Sequence, residues 1–358
     1  MRSVITPGSH TFVTPATPAD MPALAGWHVR PAQLADLPGL VALAEAADPG
    51  MTNLPADRGA LAARIERSLD AFARPLAAPE DELYLLVLDD GTGRAVGTAC
   101  LFSRIGQTWP FYSYKRTQIV HHSPTLARHD SHELLQITND FGGASEVGGL
   151  FLHPAVRSSG AGRLLARSRY LFIAMHRARF AATTIAELRG WVSPDGGTPF
   201  WDAVGRQFFG MSLWEADRYC ALHGNQLIAD LMPRYPVYVA LLPETARAAI
   251  GRVHASSQPA LRLLEHEGLR LTGHVDIFDA GPSVACPTDQ LRTLVDGRTA
   301  RVARAAAPDA QLPHLIACGE LGTFRCWLDR VGPAEPGDDR LRLSGAADCG
   351  EAVFHVPF

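Results

Sequence analysis

Residues 146–174, EVGGLFLHPAVRSSGAGRLLARSRYLFIA, constrain this chain more than any other segment. An apolar run ends at His153 and Pro154, a glycine-bearing turn follows from Arg157 to Arg163, and Leu164, Leu165, Tyr170, Leu171 and Phe172 then fit one face of a helix. The order predicts a buried strand, a tight turn and a helix. The first turn of a helix leaves several N–H groups unpaired and carries about half a positive charge, so it is a ready site for a pyrophosphate. Gly160 and Gly162 permit close backbone approach or a positive φ. Arg157 and Arg163 offer charge-assisted donors, and Ser158, Ser159 and Ala161 complete the turn. The spacing is not G-x-G-x-x-G, and no suitable acidic residue stands about 20 positions later on a strand end, so a dinucleotide site fits poorly. A glycine turn entering an ordinary helix is the plain alternative.

Strand and helix signals alternate on both sides of this segment. A short strand at His28 to Arg30 precedes Asp36, read as the N-cap of an apolar-periodic helix. LAARIERSLDAFA reads as a second helix, and ELYLLVLDD and RAVGTACLFSRI as a hairpin closed by Gly-Thr-Gly. TWPFYSYKRTQIVHHS continues the sheet on β-branched and aromatic content. Downstream, TTIAELRG predicts a strand, PFWDAVGRQFFGM a helix ending near a further strand, WEADRYCALHGNQLIADLMP a helical stretch and PVYVALLP a strand. PALRLLEHEGLRLTGHVDIFD repeats the order of short helix, glycine and strand. From about Cys286 short β-like runs are separated by Pro and Gly turns. The 358 residues exceed a usual single core. The expected division is a flexible leader over 1–26, a first unit over 27–212, a second over 213–285 that completes the site, and a small β-rich unit over 286–358.

Thirty-three Lys and Arg against 37 Asp and Glu leave no basic surplus for a phosphate backbone, so nucleic acid is not the expected partner. The six cysteines form no C-x-x-C pair, which points to reduced thiols rather than a zinc ribbon or a disulfide framework. No apolar stretch approaches the roughly 18 residues of a membrane helix, and prolines break the first 25 residues where a secretory signal would need an apolar core. A soluble, cytoplasmic protein without a metal is expected.

The strand, R-x-x-G-x-G and helix order resembles the acyl-CoA-binding motif of the GNAT superfamily. The resemblance implies an α/β fold with a GNAT-like mixed sheet flanked by helices, a partial GNAT-like repeat and a small C-terminal β-rich domain. Eight further segments narrow it: TNLPAD (52–57), TND-x-GG (138–143), SE-x-x-x-LFL (145–152), AE-x-RG (186–190), PFW-x-x-x-GR-x-FF (199–209), ADLMP (229–233), IGRVH (250–254) and VDIFDAGP (275–282). In this order they resemble the arginine N-succinyltransferase family from about residue 28 to 285. That family transfers a succinyl group from succinyl-CoA to the α-amine of arginine, in some members ornithine, and some members work as paired unlike subunits. The resemblance therefore implies succinyl-CoA as acyl donor, a small amino-acid acceptor and a homo- or hetero-oligomer. It also implies His254 as proton donor and Leu150 as a succinyl-CoA contact, with Leu152 on the same strand. The chain departs from the family at FYSYK (111–115), where WYNYR is usual, and at Ala144, where Asn or Ser usually precedes SE. Both departures bear on the acceptor rather than on the CoA loop.

Acyl transfer to an amine needs a base, an oxyanion donor and an acid for the departing thiolate. Glu146, at the start of the strand that carries Leu150, is the candidate base, with an edge-strand surface charge as the alternative. His254, whose imidazole type titrates near neutrality, is the candidate acid. His121, Asn139, Asp140, Glu187 and Arg189 are candidates for the acceptor site, with capping bonds or structural ion pairs as the plain explanation. Two other readings stay open: a CoA-binding subunit that supports a catalytic partner, and a GNAT enzyme with another acyl donor or amine.

Overall fold

The computed structural model describes residues 24–47, 54–157, 159–193, 196–224, 226–303, 312–331, 340–343 and 352–358. Ser158, residues 52 and 53 of the TNLPAD segment and most of the expected leader lie outside these. The chain opens with β1 (His28–Pro31), α1 (Leu37–Glu45), α2 (Arg58–Ala73), β2 (Leu83–Asp89) and β3 (Ala95–Phe102). A long hairpin follows, β4 (Ser113–Ser123) and β5 (Arg128–Thr138), and then β6 (Ser145–Leu152), α3 (Ala161–Met175) and β7 (Thr183–Glu187). Five short helices come next: α4 (Pro199–Ala203), α5 (Gly205–Phe209), α6 (Leu213–His223), α7 (Gln226–Leu231) and, after the two-residue β8 (Val237–Tyr238), α8 (Glu244–Ala249). The rest is α9 (Gln258–Glu267), β9 (Arg270–Asp276), β10 (Pro282–Pro287), α10 (Arg292–Asp296), β11 (Arg298–Ala303), β12 (Leu312–Cys318), β13 (Arg325–Val331), β14 (Arg340–Arg342) and β15 (Ala352–Pro357).

These strands form one mixed sheet in the order β14-β11-β15-β12-β13-β1-β2-β3-β6-β7-β10-β9-β4-β5-β8. The C-terminal strands join it through β13, whose Trp327 and Cys326 pair with His28 and Val29. On one face α1 and α2 bury Leu40, Leu43, Leu61 and Ile65 against Leu83, Leu85, Val87 and Cys100. On the other, α3 buries Leu164, Leu165, Tyr170, Leu171 and Phe172 against Tyr84, Leu86, Ala99, Leu101 and Val147. The helical residues singled out by spacing are thus the ones the sheet covers. The helices α4 to α8 pack Phe200, Trp201, Phe209 and Leu213 against Tyr114, Leu135 and Val275 at the β4–β9 end.

Three local expectations are corrected, and one strand appears where none was read. Asp36 precedes α1, but its side chain makes no capping bond; its carboxylate instead accepts from the Arg30 guanidinium at 2.7 and 2.8 Å and from the Gln33 amide. The charged RHDSHELLQIT, not singled out from sequence, is strand β5, paired along its whole length with β4. PFWDAVGRQFFGM breaks into α4 and α5 at Val204, whose φ of -116 and ψ of -74 leave the helical path, and Gly205 lies so close to the Trp201 ring that a Cβ would sit 2.2 Å from it; α6, not a strand, follows. PVYVALLP pairs over only two residues before turning into a 3₁₀ helix.

Candidate active site

The site is built where β6 and β7 run side by side and part. They are parallel and paired only at Ser145↔Thr184 and Glu146↔Ile185. From Val147 onward, the β7-facing edge of β6 has no strand partner among the described residues. The other edge stays on β3 but carries a bulge: Thr98 pairs with Phe151 and Cys100 with Gly148, so Gly149 and Leu150 together oppose Ala99. Gly149 has φ +55, and a Cβ there would meet the Cys100 Sγ at 2.6 Å, so glycine is required twice over. The extra residue also reverses the side-chain alternation. Val147 lies in the cluster under α3, while Phe151 lies in the cluster under α1 and α2. Leu150 and Leu152 pack against the α3-side cluster.

Past Leu152, His153 caps a 3₁₀ turn through its Nδ1, which accepts from the Ala155 amide. The Arg157 Nε donates to the Leu152 carbonyl at 3.3 Å. The Ser159 hydroxyl donates to the Val156 carbonyl at 2.8 Å, and Gly160 caps α3 with φ +83. The positive φ is a left-handed conformation that glycine adopts without strain. At Gly162 an added Cβ would meet nothing nearer than Leu152 at 3.8 Å, so the fold itself does not demand glycine there. Arg163 points the other way: its guanidinium lies 4.4 Å from the centre of the Phe358 ring, where α3 receives the C-terminus.

Glu146 projects on the α1–α2 face beside Phe102 and over Gly148. Burial pushes its carboxyl up to about 7, against the pull of the nearby Arg64 guanidinium. Glu187, at the C-terminal end of β7, is raised much further by burial and by the charges of Asp276, Glu146 and Asp279. Its Oε1 is buried without a hydrogen-bond partner. Asp276 is pushed up to about 8 by burial and by Asp279, and Asp217 on α6 to about 6 by burial and the same neighbour. Carboxylates packed in this way raise one another's proton affinity, and a cation among them would lower it. Among the described residues no three His, Cys, Asp or Glu side chains are arranged as metal ligands.

Arg189 and Gly190 extend β7 toward the segment that holds His254. The His254 amide donates to the Arg189 carbonyl at 2.9 Å, and Gly190 bridges Val253. Gly190 and Gly281 are glycines because backbone meets backbone: a Cβ on Gly190 would lie 2.3 Å from the Asp279 carbonyl, and one on Gly281 1.9 Å from that of Leu188. The Gly190 amide donates to Asp279 at 2.7 Å. The AE-x-RG, IGRVH and VDIFDAGP segments, far apart in sequence, therefore form one rim. On it, the Ser256 amide donates to the His254 Nδ1 at 3.2 Å, with the Ser256 hydroxyl at 2.7 Å. Nδ1 is thus the acceptor in the neutral ring, and Nε2 carries the proton.

Three acceptor candidates have other surroundings. Asn139 is an exposed turn residue whose carbonyl accepts from the Gly142 amide. Asp140 takes Lys115 at 2.8 Å, His274 at 3.1 Å and the Thr138 hydroxyl, which hold its carboxyl well below the usual range. Third, His121 stands on the exposed outer part of the β4–β5 hairpin, six residues beyond Lys115, the last β4 residue paired to β9. At about 3.3 Å per residue it lies roughly 20 Å from that end of the sheet. Sequence reasoning passed over Asp217, Asp276, Ser256 and Arg64. Only Ser256, two residues after His254, had a local signal.

The parted strand pair, the bulge and the glycine-capped helix on a mixed sheet with helices on both faces define a GNAT-type acyltransferase. A family model described as arginine N-succinyltransferase beta subunit matches residues 27–293. The chain is 40% identical over 288 residues to the arginine N-succinyltransferase subunit beta of Pseudomonas aeruginosa, covering 80% of this chain and 84% of that one. It is 36% identical over 319 residues to the arginine N-succinyltransferase of Enterobacter sp. (strain 638), covering 89% and 92%. The solved structure of arginine/ornithine succinyltransferase subunit AI from Pseudomonas aeruginosa superimposes with a TM-score of 0.81 at 32% identity, over 92% of this chain and 98% of that one. The chain belongs to the arginine N-succinyltransferase family.

Proposed function

We propose that the protein transfers the succinyl group of succinyl-CoA to the α-amine of arginine. The observation that carries the reading is the parting of β6 from β7 directly after Glu146, on a strand that ends at the glycine-capped start of α3. The exposed edge of β6 supplies amides and carbonyls for the amide groups of a pantetheine arm, and the helix start supplies donors for its pyrophosphate. The thioester then lies along the bulge, where the backbone amide of Leu150 is the donor for the oxyanion.

The guanidinium of arginine stays protonated, its pKa being above about 12, while the α-ammonium deprotonates several pH units lower, so the α-amine is the nucleophile. Glu146, with its carboxyl near 7, accepts that proton at neutral pH. Glu187, Asp276, Asp279 and Asp217 form a cluster of buried carboxyl groups whose raised proton affinity a cationic amino acid would lower on binding. His254 is the acid for the departing thiolate in its imidazolium form: the Ser256 hydroxyl accepts from Nδ1, the Nε2 proton passes to the sulfur, and the neutral ring is left with its proton on Nδ1. CoA is a co-substrate here, and no step calls for a metal.

The test is thiol release from succinyl-CoA in the presence of arginine, with the product identified by mass spectrometry. Succinylation of the α-nitrogen is the expected result. Tight CoA binding without thiol release would reject catalysis, and a succinylated ornithine with arginine untouched would reassign the acceptor.

A further inference from the structure

A cavity of about 220 Å³, counting its open mouth, lies under α1 and α2 against the β6 bulge. Leu40, Leu61 and Leu85 give it apolar walls, Cys100 and Gly149 line its bulge side, and Arg64 is the charged group among the described lining residues. Arg64 leaves α2 toward the sheet. Its Nη2 donates to the Cys100 Sγ at 3.3 Å, and its Cζ lies 5.9 Å from the centre of the Phe102 ring. Cys100 and Phe102 are alternate residues of β3, and the Glu146 carboxylate lies beside Phe102 on the same face. The guanidinium therefore sits over the part of the sheet where β6 bulges, separated from Gly149 by a single sulfur atom.

We propose that Arg64 receives the terminal carboxylate of the acyl group and so selects a dicarboxylic acyl thioester over a simple one. The inference rests on the proposed succinyl transfer. The three C–C bonds of a succinyl chain, each about 1.5 Å, reach roughly 4 Å from the thioester carbon, which matches the short step from the bulge into the cavity. The two methylenes meet leucine walls. The carboxylate meets a planar fork of donors that takes it bidentately, in surroundings where charge-assisted bonds are strong. A monocarboxylic acyl group of the same length would place a methyl against the guanidinium.

Succinyl-CoA and butyryl-CoA differ by that one exchange, carboxylate for methyl. With the full-length chain and arginine as acceptor, kcat/KM should favour succinyl-CoA by about 10–100-fold, the worth of one charge-assisted hydrogen-bonded pair. In Arg64→Met the ratio should collapse to near one, and in Arg64→Lys, which keeps charge but loses the fork, it should fall in between. Turnover of butyryl-CoA by the variants reports that they are folded. The proposal is overturned if the wild-type chain does not discriminate, if Arg64→Met keeps the ratio, or if both thioesters lose the same factor, since that marks Arg64 as a support for Glu146. Should Arg64→Met fail to fold, the Arg64→Lys ratio decides. If arginine accepts from neither thioester, the functional reading fails, and the dissociation constants of the two thioesters for wild type and variant, measured by calorimetry, decide the Arg64 assignment separately.

Discussion

Glu146→Gln separates chemistry from stability, because the same burial serves one and harms the other. Burial raises the Glu146 carboxyl from 4.5 to about 7. At about 1.4 kcal/mol per pH unit, the charged form is disfavoured in the folded state by about 3 kcal/mol. The side chain keeps some contact with solvent, so about 1–2 kcal/mol is the expected share after screening. The folded-state value lies above the unfolded one, so the folded chain holds the proton more tightly between them, and stability from this group falls as pH rises from about 4.5 to 7. Glu146→Gln, which keeps shape and removes the charge, should therefore raise the melting temperature at pH 8 by about 2–4 °C, at roughly 2 °C per kcal/mol. Near pH 4 the two proteins should melt together. The same variant should lose at least about 100-fold in kcat, with CoA affinity nearly kept, and the wild-type rise in activity through pH 7 should disappear. Melting curves at pH 4 and 8 and a pH–rate profile decide it. An unchanged rate, or a pH 8 melting temperature equal to or below wild type, would refute the reasoning about this carboxylate.

His254→Ala should lower turnover by about 100-fold or more while CoA affinity stays nearly constant, and unchanged turnover in a thiol-release assay would remove it from the mechanism. Gly162→Val should fold, since a Cβ there meets only Leu152 at 3.8 Å, yet weaken CoA binding by about 10-fold or more; calorimetry showing an unaltered dissociation constant would move the pyrophosphate elsewhere. Gly190→Ala drives a Cβ to 2.3 Å from the Asp279 carbonyl, and a loss of several kcal/mol, about 3 or more, is expected in denaturant unfolding; wild-type stability would contradict the backbone packing of the rim.

The strand, glycine turn and helix around Gly160 were legible from the chain alone, because each rests on local physics: apolar run, permitted φ and helical spacing. The hairpin of β2 and β3, the helix α2 and the glycine stop before β9 were legible for the same reason. Strand β5 was not. Its charged sequence has no apolar alternation, since the hairpin it forms with β4 stands largely in solvent and β5 itself buries only Leu135 fully. Asp36 was misjudged as a cap because Arg30, six residues earlier on β1, competes for its carboxylate and wins with two short bonds.

By itself the sequence determined that an apolar strand runs through a glycine turn into a helix, and it offered Glu146 and His254 as candidates for acyl transfer. Only the tertiary structure decided that His254 is held on the extension of β7, that burial raises the proton affinity of Glu187, Asp276, Asp279 and Asp217, and that Arg64 overlooks the bulge. The reason is the range of the forces. Turn and helix signals act over a few residues, whereas burial and charge coupling depend on which surfaces meet, and here they join residues from 64 to 279 across a sheet whose strand order is not the order of the chain.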